Sequence, residues 1–173
     1  YNESEKYILV LSHDEVVHLK CSMINKMPGE MEDKFKNLMV GYAFMMGHPG
    51  KKLLFMGQEF AQLQEWSEAR ELDWYLLENS DHKHMQNWVK KLLHIYQKNP
   101  ALYELDSSWG GFEWINANDA ERSIFSFIRR DETQKKNLLF ICNCIRRPGN
   151  YPDHRRVPER TVHKSIWMDK IHA

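Results

Sequence analysis

The chain has 173 residues, 42% of them hydrophobic and 12% aromatic, enough to bury a sizeable core in one domain or one and a half. Its 24 Lys and Arg balance 24 Asp and Glu, which argues against the broad one-sign surface of a nucleic-acid or membrane binder. No apolar run reaches the roughly 18 residues of a membrane span, and no signal-peptide pattern is present.

In chain order, residues 7–11 (Tyr-Ile-Leu-Val-Leu) are continuously apolar and predict a strand buried on both faces, the habit of a parallel sheet. The chain begins at Tyr1 and enters this strand almost at once, which is the expectation for a segment of a longer protein. A polar loop runs on through Lys26-Met27-Pro28-Gly29. Phe35, Leu38, Met39, Tyr42, Met45 and Met46 then recur at helical spacing, so residues 31–46 predict an amphipathic helix. The cluster Gly47-His48-Pro49-Gly50 stops it. Residues 51–56, KKLLFM, predict a second buried strand. A loop rich in Glu and Trp follows. A second helix is marked by Met85, Trp88, Val89, Leu92, Ile95 and Tyr96, and Asn99-Pro100 ends it. Strand, helix, strand, helix implies a parallel sheet.

The pattern changes at 106–111, where a domain boundary is expected between residues 1–105 and 106–173. Three strand-like runs follow, FEWIN from Phe112, SIFSFIRR from Ser123 and NLLFICNC from Asn137, with turns at Asn118-Asp119 and across residues 131–136. This predicts antiparallel β structure. The tail from about 146 carries seven Lys and Arg against three Asp and Glu, and a further strand is expected at 161–167. There is no internal repeat. Cys21, Cys142 and Cys144 have no disulfide or metal spacing and fit a reducing compartment, the cytoplasm.

The octapeptide LSHDEVVH, residues 11–18, carries the densest chemistry. His13 and His18 are five apart, which is wrong for two ligands on one helical face, and Glu15-x-x-His18 is half of a di-metal signature with no second copy. No metal and no cofactor are expected. Acids at the C-terminal ends of parallel strands are more telling, because α/β folds bind ligands there. Asp14 with His13 ends the first strand, and Gln58 with Glu59 ends the second. Loop capping by acids is the competing explanation.

LSHDEVVH, NKMPGE, HPGKKLLFMGQEF and LDWYLL, in that order, resemble the C-terminal part of the catalytic barrel of bacterial 1,4-α-glucan (glycogen) branching enzymes, in the α-amylase superfamily. NPALYELD and GFEWINANDAERSIFSFIRR continue the likeness, which covers about residues 1–145. The resemblance implies α/β followed by all-β structure: the last two βα units of a (β/α)8 barrel, then the start of a C-terminal antiparallel β-sandwich. It implies a retaining double displacement that cleaves an α-1,4-glucan and passes it to a 6-hydroxyl, forming an α-1,6 branch. By the same resemblance Asp14 is the transition-state stabiliser, and His13 grips the hydroxyls of the distorted sugar. Glu15, Glu59, Trp66 and Trp74 are weaker candidates for glucan contact; bracing and packing of loops compete with that role.

The family's nucleophile and general acid lie on earlier barrel strands. The chain is therefore expected to need the N-terminal part of the barrel as its partner, with α-1,4-glucan or glycogen as substrate, and to be inactive alone. An α-glucan hydrolase and a non-catalytic glucan-binding remnant are the alternatives. Two departures stand out. The family has Gly where this chain has Leu19, a position where Gly often supplies a positive φ. After Cys144 the family's run is replaced by Ile145-Arg146-Arg147-Pro148.

Overall fold

The computed structural model describes residues 8–121, 123–143 and 164–168. Tyr7, Cys144, Ile145 and most of the tail lie outside the described residues. The described chain forms two compact units. One contains residues 8–46 and 51–97, the other residues 47–50, 98–143 and 164–168. The second unit thus combines residues 47–50 with the chain from Lys98 onward.

In the first unit, strands β1 (Ile8–Leu11) and β2 (Lys51–Leu54) pair in parallel, Ile8 opposite Lys51 through Leu11 opposite Leu54. Helix α1 (Met31–Gly47) carries Glu32 and Asp33 in its first turn, where carboxylates meet the positive end of the helix dipole. Its predicted stripe is buried, with Leu38 and Tyr42 almost wholly excluded from solvent. Helix α2 (Ser80–Lys98) is capped by Asn79, whose Oδ1 accepts the Asp81 N–H at 2.8 Å. It buries Met85, Val89 and Leu92, and Trp88 Nε1 donates to the Met39 carbonyl of α1 at 3.2 Å.

The expectation of strands buried on both faces fails here. Ile8 is 52% exposed and Leu53 38%. Among the described residues this sheet has only two strands, too narrow a surface for helices to bury both faces of each strand. The second strand is also shorter than expected, ending at Leu54. The Phe55 N–H that would continue the ladder is taken by Gln58 Oε1 at 3.0 Å, in a tight turn with Gly57 at a φ of 84°.

In the second unit, β3 (Phe112–Asp119), β4 (Ile124–Arg130) and β5 (Asn137–Asn143) form an antiparallel sheet. The antiparallel pattern expected of the three runs thus holds, and strand β6 (Lys164–Met168) adds to β5 in parallel, so the four-stranded sheet is mixed. Residues 161–163 of the expected last strand lie outside the described residues. β3 runs past the predicted turn at Asn118-Asp119, and the Ser123 N–H closes a turn on the Ala120 carbonyl instead. Trp114 opposes Phe127, and Phe127 opposes Phe140 in the registers. Their rings form a cross-strand ladder, at 5.5 Å edge-on and 4.8 Å stacked. On the other face Ile124, Ile128, Leu139 and Ile141 cluster.

A buried charge locks this unit. Arg129 is fully buried on the face of Phe127. It donates to the Gly47 carbonyl at 2.8 Å, the Gly111 carbonyl at 3.1 Å and Asp106 Oδ1 at 2.7 Å. Removing one partner from such a buried pair typically costs about 3–5 kcal/mol, because the other charge is left without compensation.

Asp131 organises the β4–β5 turn. Its carboxylate accepts the Thr133 hydroxyl at 2.8 Å and the N–H groups of Lys135 and Lys136 at 3.1 and 3.3 Å. Burial alone would push the carboxyl up. The Thr133 hydroxyl, the two N–H groups and the Lys136 charge outweigh it and hold the carboxyl below its ordinary value. A depressed folded-state pKa gives stability that is present above the unfolded value and lost as pH falls through the folded one. Thermal unfolding across the acid range should therefore show Asp131→Asn less stable than the parent at neutral pH, by on the order of 1 kcal/mol. The gap should close as pH falls. A gap constant with pH would refute this account of the turn.

Candidate functional site

Parallel pairing sets β1 and β2 side by side in the same direction, so the loops that leave their C-terminal ends rise from one end of the pair. The first loop opens with a 3-10 turn, His13–Glu15, closed by Val16 N–H donating to the His13 carbonyl at 2.9 Å. His13 Nε2 lies 3.2 Å from Asp14 Oδ1, and both side chains are more than half exposed. An imidazole and a carboxylate are thus held together and open to solvent at the end of a strand. Together they offer a hydrogen-bond donor and acceptors to a ligand rich in hydroxyl groups.

The His13 ring lies 5.9 Å from that of Phe55, and Phe55 meets Trp66 edge-on at 5.2 Å. His13, Asp14, Phe55 and Trp66 are thereby brought together. The other candidates are engaged elsewhere. Glu15 pairs with Lys26 at 3.2 Å. Trp74, half exposed, packs on Phe60 at 5.2 Å. The charge of Glu59 adds to burial in pushing the Tyr42 hydroxyl far up, and that hydroxyl donates to the Gln58 carbonyl at 3.2 Å. Among the described residues no hydrogen bond, ion pair or ring contact joins Glu59 or Trp74 to His13 or Asp14.

Several residues that shape the site were not singled out from sequence. The first loop turns through three non-glycine residues with positive φ: His18 at 57°, Leu19 at 65° and Cys21 at 65°. Left-handed conformations cost L-residues roughly 1–2 kcal/mol each and persist where surroundings over-determine them. Glu65, from the loop after β2, does this. Its carboxylate accepts the Leu19 N–H at 3.2 Å and the Cys21 N–H at 2.7 Å. Beside it, Trp66 N–H donates to the Val16 carbonyl at 3.0 Å, and Asn25 Nδ2 donates to the Leu63 carbonyl at 2.7 Å. Nothing local in the sequence links residues 44 and 46 positions apart. Leu19 in place of Gly was the one available signal that a left-handed turn lay here.

A small pocket lies among these loops, lined in part by Val16, Ser22, Gln58, Gln62 and Trp66. Ser22 Oγ and Gln58 Nε2 are buried with no hydrogen-bond partner among the described residues. Its volume of about 10 Å³ suits one water-sized group and not a sugar ring. The open His13–Asp14 face, with both side chains more than half exposed, remains the ligand candidate on its own geometry. Among the described residues no group of three or more His, Cys, Asp or Glu is placed to hold a metal ion, and no helix is long and apolar enough to cross a membrane.

Known proteins resemble this chain over most of its length. Residues 114–165 match the family described as the alpha amylase C-terminal all-beta domain. A 1,4-alpha-glucan branching enzyme GlgB of Butyrivibrio fibrisolvens is 66% identical over 143 residues, 83% of this chain and 22% of that protein. The chain corresponds to a C-terminal part of a GlgB-type enzyme. The GlgB branching enzyme of Bacillus caldolyticus is 53% identical over the same shares of the two proteins, and GlgB 1 of Clostridium perfringens is 47% identical over 96% of this chain and 25% of its own length. The chain thus spans about a quarter or less of the relatives it matches. The β unit contains the family match from Trp114 onward.

The left-handed loop generates a test. Leu19 is 94% exposed, so its side chain contributes little packing. Leu19→Gly should raise stability in urea unfolding by about 0.5–1 kcal/mol, relief of the left-handed cost outweighing the added freedom of the unfolded chain. Leu19→Ala, which keeps a Cβ, should bring no such gain. Equal effects from the two substitutions would refute strain at this position.

Proposed function

We propose that this chain is the part of a glucan-branching enzyme that supplies one wall of its active site. On this reading residues 1–105 are the last two βα units of a (β/α)8 barrel and residues 106–173 belong to its C-terminal β domain. The β1–α1–β2–α2 order with a parallel β1–β2 pair supports that architecture. The observation that carries the functional reading is the exposed His13–Asp14 pair at the end of β1, within a chain so similar to proteins named as 1,4-alpha-glucan branching enzymes.

The proposed chemistry is a retaining double displacement on an α-1,4-glucan, with transfer to a 6-hydroxyl of a glucan chain. A carboxylate at Asp14 accepts hydroxyls of the sugar as it distorts toward an oxocarbenium ion. Those hydroxyls become more acidic as positive charge develops, so the contact strengthens in the transition state and lowers the barrier. His13 adds an N–H donor to a neighbouring hydroxyl. The family resemblance assigns the nucleophile and general acid to other barrel strands than β1 and β2. The 173-residue chain alone is therefore read as binding glucan without turning it over. Cytoplasmic placement belongs to the same reading and rests on cysteine usage.

Titration with maltoheptaose, followed by Trp fluorescence, tests the binding half. Trp66 is joined to His13 through Phe55, so a saturable signal is expected. Asp14→Asn should weaken binding by about tenfold, the typical loss for a hydrogen bond to a charged group. A flat response in the parent chain would overturn the glucan reading. For the chemical half, incubation with amylose should leave the iodine-complex spectrum unchanged. Branching by the 173-residue chain would disprove the assignment of nucleophile and acid to other strands.

A further inference from the structure

The turn that carries His13 and Asp14 is one short 3-10 helix of three residues. Such a turn has little stability of its own. Its side chains are exposed and tie it only lightly to the rest of the chain, through the His13 ring beside Phe55 and Glu15 paired with Lys26. Something outside it must set its position.

Two side chains do so in sequence. Glu65 grips the N–H groups of Leu19 and Cys21, at 3.2 and 2.7 Å, with its two carboxylate oxygens. The residue between them is Lys20. Its Nζ reaches back six residues and donates to the Asp14 carbonyl at 2.7 Å. The carboxylate fixes the backbone from which the lysine stem departs, and the lysine fixes the backbone of the turn.

We propose that Glu65 and Lys20 act together as positioning residues for the His13–Asp14 turn. Glu65 holds the left-handed segment, and Lys20 transmits that hold to Asp14 through its main-chain carbonyl. Both contacts are charge-assisted, which makes them stronger than neutral hydrogen bonds. Neither touches the Asp14 carboxylate or the His13 ring. The pair orients the site without occupying it. The inference stands on these contacts; only its relevance to glucan rests on the proposed function.

Amide exchange and side-chain resonances of the 173-residue chain test it. The Val16 N–H closes the turn on the His13 carbonyl and reports its opening. Glu65→Ala and Lys20→Met should each speed Val16 exchange by about tenfold and shift the His13 imidazole resonances. Leu139 and Ile141 in β5 should exchange as in the parent. Lys20→Arg should restore the parent behaviour, because a guanidinium can donate to the same carbonyl. Lys20 is exposed, so Lys20→Met keeps the test open even if Glu65→Ala unfolds. Unchanged Val16 exchange and an unshifted His13 in Lys20→Met would overturn the proposal, whatever happens at Leu19 and Cys21. Maltoheptaose affinity in the same variant should fall. If affinity holds while the turn loosens, positioning stands and the glucan role of Asp14 fails.

Discussion

A single carboxylate, Glu65, ties the loop after β1 to the loop after β2. Parallel strands deliver both loops to one end of the pair, but four register pairs cannot dictate what the loops do beyond the ladder. The chain leaves β1, makes a short turn and passes through three left-handed residues before Ile24 drops into the core. Without an external acceptor, the N–H groups of Leu19 and Cys21 in that exposed segment would face water, and the left-handed backbone would have little to hold it. With Glu65 in place, and the neighbouring Trp66 N–H on the Val16 carbonyl, one loop becomes the scaffold of the other.

The two units solve their fixing problems differently. In the β unit the central charge, Arg129, is fully buried and meets two carbonyls and a carboxylate. It sits beside the Phe127–Phe140 stack, in surroundings that penalise any unpaired charge. Its partners are therefore fixed with little freedom. Glu65 works near solvent, where each hydrogen bond is worth less. Its hold depends on taking two N–H groups at once. A buried charge suits a permanent interior, whereas an exposed clamp suits a surface that must admit a ligand.

What was legible in the sequence follows the same division. α1 and α2 were readable because their burial repeats at helical period and breakers flank them, Gly47-His48-Pro49-Gly50 and Asn99-Pro100. β4 and β5 were readable from Ile, Leu and Phe between polar turns. The end of β2 was not, because a side chain, Gln58 Oε1, takes the next rung of the ladder, and periodicity does not register such competition. The parallel pairing of β6 was not, because direction depends on the path of the chain and not on composition. At the site, His13 and Asp14 were visible as residue types at a strand end, and Leu19 hinted at the left-handed turn. Glu65 and Lys20 look like ordinary surface charges. Their meaning lies in acceptors and donors brought close only by folding.

The placement of these ties explains how the site can be both fixed and open. The hydrogen bonds of the Glu65 carboxylate, the Trp66 N–H and the Lys20 ammonium to the first loop end on main-chain atoms: the N–H groups of Leu19 and Cys21 and the carbonyls of Val16 and Asp14. Had a cation neutralised the Asp14 carboxylate directly, the turn would be just as fixed. A ligand would then have to displace that cation before its hydroxyls could be received, and the cost of breaking the pair would come out of binding. By anchoring the backbone instead, the fold orders the turn while, among the described residues, the carboxylate pairs only with the neighbouring His13. Rigidity is assigned to the main chain and chemistry to the side chains, which is the arrangement a preorganised hydroxyl-binding surface requires.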